Sequence, residues 1–310
     1  MNEFSAFLEA AKNANVVPVV QTLPADLLTP LSVYLKLSNG STNSFLLESV
    51  EGGTSLARYS FIGADPEMIV SGTEDSVRIS TSAGDVSKPL GTIEYLRSHF
   101  AKLHAPASAD LPSFVGGAIG YLGFGCSEWF EPSLKGTETR TDTEAALMFF
   151  RSIVAFDHAK QVIKIISLVF ADEAGDDAKL KLAFDAANEK NGRIKETLEK
   201  GALVLPERGS GQVDPEPRSN WKREDFEQAV VQIKELISAG ECYQVVLSQC
   251  FSRETNASPV SIYRAIRSLN PSPYMFLLNF GEKAVVGASP EMLVRCENDR
   301  LEYRPIAGTR

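Results

Sequence analysis

Four groups of residues could do chemistry in this chain. Glu48 and Ser49 close the apolar run SFLLESV at 44–50: Ser49 offers a hydroxyl and a strand-end N–H, and Glu48 an acceptor if it turns inward. Pro273, Tyr274 and Met275 follow the turn-forming Asn270, Pro271 and Ser272, and supply backbone polar groups and apolar walls on a backbone that proline stiffens. Gly308 lets backbone approach an anionic group, and Thr309 beside it adds a hydroxyl donor. Gln244 sits within QVVLSQ as a hydrogen-bonding group. Each has a plain structural alternative, respectively a core strand with a polar end, a helix-to-strand turn, a strand-to-loop exit and a buried polar seam. Local chemistry leaves both readings of each open. Glu291, in SPE, reads as a turn residue.

Other chemistries are disfavoured. The chain has three histidines, His99, His104 and His158, and four scattered cysteines without a CxxC pair. Neither a zinc site nor a Cys–His nucleophile is indicated, and the cysteines read as reduced thiols of a cytoplasmic protein. His158 reads as a solvated turn residue. The run FVGGAIGYLGFG at 114–125 lacks the strand–turn–helix setting and the following acid of a dinucleotide site. Its glycines read as close backbone packing within a sheet.

Composition narrows the partners. A net charge of −9 gives nucleic acid no broad electrostatic support, so an anionic ligand needs a local site. No apolar run approaches membrane-spanning length, and the first 17 residues lack the pattern of a signal peptide.

The elements that must position these groups follow from periodicity. Strands are expected at 17–22, 44–50, 57–63, 68–71 and 76–80, and a hairpin from 147–156 to 162–170 about the turn 157–160. Helices are expected at 31–37, with Thr29 as N-cap and Pro30 at its first position, at 92–103 and at 176–198. Pro206, Pro215 and Pro217, with three glycines, mark 201–219 as a linker. Beyond it, Phe226, Val230, Ile233 and Ile237 stripe a helix capped by Ser219 or Asn220 and ending at Gly240. A strand at 242–251, a helix from Ser258 to about 269, and strands at 274–280, 284–287, 293–296 and 300–304 follow. Hairpins with interspersed helices make this an α+β chain with mixed or antiparallel sheets and surrounding helices. The layout is an N-terminal domain at 1–200, the linker at 201–219, and the beginning of a second domain at 220–310.

The ordered set LTPLSVYLKL (28–37), FLLES (45–49), RYSFIG (58–63), GGAIGY (116–121), AGECYQVVLSQ (239–249), NPSPYM (270–275), GASPEM (287–292) and PIAGTR (305–310) resembles anthranilate synthase component I, a family of chorismate-utilising enzymes. The likeness spans nearly the whole chain. It implies a large subunit that converts chorismate and ammonia to anthranilate and pyruvate in tryptophan biosynthesis. A glutamine amidotransferase subunit, component II, is the implied partner and ammonia source. The resemblance places feedback tryptophan at Glu48, Ser49, Pro273, Tyr274 and Met275, and chorismate at Gly308 and Thr309. No catalytic residue is assigned within the chain; Gln244 is a candidate pocket residue. Mg²⁺ is the implied cofactor, and its ligands, like a catalytic histidine, are expected beyond Arg310. The similar isochorismate and salicylate synthases carry lysine where Gln244 stands, and aminodeoxychorismate synthases carry it where Ala307 stands. The alternatives are aminodeoxychorismate synthase component I or, for these 310 residues alone, an inactive tryptophan-binding fragment.

Overall fold

A computed structural model describes residues 3–49, 58–106, 110–136, 144–174, 176–205, 216–297 and 299–305. By contacts the chain divides into Met1–Leu205 with Ile262–Arg310, and Pro206–Ser261.

The first unit is built on two antiparallel sheets. One orders its strands β1 (Val16–Pro24), β10 (Val162–Phe170), β9 (Ser152–Asp157), β3 (Tyr59–Ala64), β2 (Asn43–Glu48), β13 (Tyr274–Phe280) and β14 (Ala284–Ser289). The other orders β6 (Gly84–Lys88), β5 (Val77–Thr81), β4 (Met68–Gly72), β8 (Ala145–Phe150) and β7 (Gly117–Leu122). Phe45, Met148, Phe150, Ile153, Ile166 and Leu278 form the core between them. Helix α1 (Glu3–Ala11) and helix α5 (Asp177–Lys200), which follows the single turn of α4 (Ala171–Ala174), cover the outer face of the seven-stranded sheet, where Phe7 and Phe184 pack on Val17, Val19 and Val169. Helix α3 (Thr92–Phe100) covers the smaller sheet through Tyr95 and Leu96. The expected α+β architecture with antiparallel sheets is therefore present.

Local signals set several boundaries as expected. Helix α2 (Pro30–Leu37) starts at a capping box in which Thr29 and Ser32 bond each other's backbone N–H. The glycine run forms β7, where a Cβ on Gly120 would stand 1.9 Å from the Ala146 carbonyl oxygen. Only glycine lets those two backbones come so close.

The expected strand at 147–156 is instead two. The chain leaves the small sheet after Phe150 and enters the large one at Ser152, with Arg151 at the crossing. Its guanidinium pairs with Glu67 and Glu173 and lies 4.4 Å from the centre of the Phe170 ring. Both flanking runs, Leu147–Phe150 and Ile153–Phe156, are apolar because both strands are largely buried, and a single Arg-Ser interruption does not by itself mark a change of sheet.

The second unit holds a two-stranded pair, β11 (Arg218–Ser219) with β12 (Phe251–Ser252), and helix α6 (Arg223–Ala239). Lys222, without a side-chain cap, precedes that helix. Ser219 and Asn220, expected as caps, instead accept hydrogen bonds from the N–H groups of Trp221 and Cys250. The strand expected at 242–251 shrinks to Phe251 and Ser252; residues 242–250 have no ladder partner among the described residues. Helix α7 (Pro259–Leu269) begins where Ser258 accepts from the Ser261 N–H, as expected.

Candidate functional site

Two stretches more than 220 residues apart in sequence meet at one strand end. Met275 stands opposite Glu48 in the β2–β13 ladder, Phe276 opposite Leu47, and Phe61 of β3 opposite Leu47 on the other side. The Ser49 hydroxyl donates to the Pro273 carbonyl at 2.8 Å, stapling the end of β2 to the turn before β13. Glu48, Ser49, Pro273, Tyr274 and Met275 are thus brought together.

Successive strand residues point to opposite faces, and the two faces here differ in kind. Leu47, Phe61 and Phe276 share one face with Tyr59, and this face lines a pocket of about 530 Å³. Gly287, opposite Phe276, leaves room for its ring: a Cβ there would stand 2.2 Å from the ring tip. The pocket rim carries Ser49, Ser113, Arg58, Arg295 and Glu297. Hydrogen bonds from Arg295 first, and from Ser113, hold the Glu297 carboxyl below its ordinary range.

Glu48 serves the opposite face. Its carboxylate accepts from the Tyr263 hydroxyl at 2.6 Å and from Arg267 at 2.8 and 2.9 Å, both donors coming from α7. Its side chain is 2% exposed and that of Arg267 40%. Burial first, then the Glu48 charge, pushes the Tyr263 phenol far above its ordinary value, so it remains a donor. The acceptor that local chemistry offers a ligand is therefore already engaged from behind the strand.

Arg58 is held in the same manner on the rim. It forms a two-point pair with the fully buried Asp157 at 3.0 and 3.3 Å, and lies 4.8 Å from the centre of the Tyr59 ring. Burial would raise the Asp157 carboxyl, but hydrogen bonds from Arg58 and from the Lys160 and Ala159 N–H groups outweigh it and hold the group low. His158 departs from the solvated turn residue expected: its ring hydrogen-bonds Ser60 at 2.8 Å and packs on Phe156. Burial pushes its pKa down.

Gln244 is exposed and lies in the second unit. Gly308 and Thr309 fall outside the described residues, as does Ala307. Among the described residues no three His, Cys, Asp or Glu side chains form a group that would hold a metal ion. No described helix is long and apolar enough to cross a membrane. Sequence reasoning missed Tyr263 and Arg267. Their spacing of four on one helix face is a usable signal. It also missed Arg58, the first residue of RYSFIG.

The chorismate binding enzyme family matches this chain over residues 42–310. Anthranilate synthase component 1 of Pseudomonas putida is 39% identical over 326 aligned positions, covering 100% of this chain and 63% of that protein. The probable anthranilate synthase component 1 of Schizosaccharomyces pombe is 37% identical over 298, covering 96% and 57%. The chain thus spans 57–63% of the length of these two relatives. In fold it is similar to the crystal structure of anthranilate synthase component I from Streptococcus pneumoniae TIGR4. The TM-score is 0.59 at 24% identity, covering 89% of this chain and 59% of that one. The chain belongs to the chorismate-binding enzymes.

Proposed function

We propose that this member of the chorismate-binding enzymes is the N-terminal portion of an anthranilate synthase large subunit and carries its tryptophan feedback site. In the whole protein, ammonia adds to chorismate with loss of the ring hydroxyl as water; pyruvate is then eliminated and the ring aromatises. A glutamine amidotransferase subunit delivers the ammonia, in the cytoplasm. Residues 220–310 begin the chorismate-binding domain, with Gly308 and Thr309 on a substrate carboxylate and Gln244 a pocket residue. Magnesium, which would neutralise carboxylate charge during loss of the leaving group, takes ligands from beyond Arg310. The 310 residues alone are inactive.

The observation that carries the feedback site is the union of Ser49 with Pro273 and the start of β13 around one amphipathic pocket. An amino acid with a flat apolar side chain fits its chemistry. The indole lies against Leu47, Phe61 and Phe276, and the charged ends fall among Arg58, Glu297 and Ser49. Ser49→Phe fills the pocket mouth. It is expected to abolish tryptophan binding by calorimetry while the far-UV circular dichroism is unchanged; unaltered binding rejects the site. Anthranilate fluorescence from chorismate, Mg²⁺ and an ammonium salt tests the reaction. The whole protein should turn over and the 310-residue chain should not. Formation of aminodeoxychorismate instead would reject the anthranilate assignment.

A further inference from the structure

The strand end that walls the pocket is held from behind by α7, and nothing in the ligand chemistry requires that contact. Glu48 and Ser49 are adjacent residues with opposite duties. Ser49 faces the pocket rim and is tied to Pro273, four residues past the end of α7. Glu48 faces away, and Tyr263 and Arg267 of α7 grip both its oxygens. Helix α7 and its exit turn therefore clasp Glu48, the last residue of β2, and Ser49 just after it, one on each side of the strand end. Along the chain, α7 begins within residues 206–261 and ends beyond them.

Stability alone is a weak reason for such a cluster. A buried carboxylate gripped by an arginine is often no more stabilising than apolar residues of the same volume, because desolvation offsets the attraction. What the cluster does supply is stiffness and direction. Two charge-assisted bonds to a planar guanidinium and one from a phenol fix the position and orientation of the carboxylate. Any displacement of residue 48 is passed to α7 and little is absorbed between.

We infer that Tyr263 and Arg267 are positioning residues that couple occupancy of the pocket to α7, through Glu48. This rests on the tryptophan reading given above and adds the route by which the bound ligand is sensed. A ligand packed on Leu47 and Phe276 fixes the ends of β2 and β13. Glu48 is fixed with them, and the C-terminal half of α7 loses freedom to open. Tyr263 and Arg267 touch no ligand in this scheme; removing them leaves the pocket face intact and cuts the connection.

Amide hydrogen exchange of residues 259–269, with and without saturating tryptophan, reads the coupling in the 310-residue chain. Calorimetry on the same samples reads binding. In the wild-type chain tryptophan should slow α7 exchange at least fivefold, the lower end of ordinary coupling between sites. Tyr263→Phe, which removes one oxygen and keeps the packing, should bind tryptophan within about threefold of wild type (under 1 kcal/mol) and lose much of the slowing. Arg267→Met should lose all of it, and Arg267→Lys should restore part. A purely structural role predicts a lower melting temperature with the tryptophan response of α7 intact, and that result overturns the inference. Tyr263→Phe keeps the test available if Arg267→Met does not fold. Tryptophan binding to wild type without a change in α7 defeats this inference alone; no binding to wild type defeats the feedback assignment and this inference together.

Discussion

The runs SFLLESV and CYQVVLSQCF have similar composition and reach opposite states. In the first, β2 is flanked by β3 and β13, and Phe45 and Leu46 are wholly buried. In the second, only Phe251 and Ser252 enter a ladder, and Tyr243 and Val246 are 93% and 83% exposed. The two differ in what neighbours them. A strand takes its hydrogen bonds and most of its packing from other strands, so strand preference expresses a place in a sheet more than a property of the segment. Helix α6 makes the same point from the other side. With no buried residue of its own, it still forms, because its hydrogen bonds are internal and its composition favours helix.

The largest test of this contrast is truncation within each run. Phe45→Ala removes a ring packed at 4.8 Å from that of Phe150 and should cost about 3–5 kcal/mol in urea unfolding. Val246→Ala should cost under about 0.5 kcal/mol. An equal loss from both would erase the distinction. Next, Glu48→Ala strips a buried partner from Tyr263 and Arg267; with Arg267 partly solvated, a loss of about 2 kcal/mol is expected. Replacing Glu48 and Arg267 together by Gln and Met should recover much of that loss, since no buried charge is left behind. Failure to recover would mean that the pair itself stabilises the fold.

A smaller effect concerns pH. Burial holds His99 and His158 below the ordinary imidazole value near 6.5, so the folded state binds fewer protons than the unfolded chain as pH falls. Their contribution to stability is complete above about pH 6.5 and is lost progressively below it, toward the depressed values. Urea midpoints taken from pH 7.5 to 5 should fall on acidification. His158→Asn, which retains a partner for Ser60, should flatten that fall, and an unchanged slope would assign it to other groups. The smallest effect belongs to Val246→Thr in the exposed run, within about 0.5 kcal/mol of wild type by the same measurement.

Legibility in the sequence followed the range of the deciding contact. The Thr29 capping box, the Ser258 cap and the hairpin around Asp157 are decided within a few residues, and all were readable. The division of 145–157 between two sheets was not, since the crossing at Arg151 depends on Glu67, Phe170 and Glu173. At the candidate site, the meeting of FLLES with NPSPYM could be inferred from resemblance alone. Which way Glu48 points could not, because Tyr263 and Arg267 decide it from 215 and 219 residues away. His158 was misjudged for the same reason: its partner Ser60 lies on another strand.

The pairing of Met275 with Glu48 has a bearing on how the protein is born. The two residues are 227 apart, so β2 waits on one flank while the ribosome makes everything between them. At about 5–20 residues per second that interval is roughly 10–45 s. For that time the nascent chain carries a bare apolar strand edge, the kind of surface that seeks any partner on offer. A chaperone that shields SFLLE until β13 emerges should therefore raise the soluble yield.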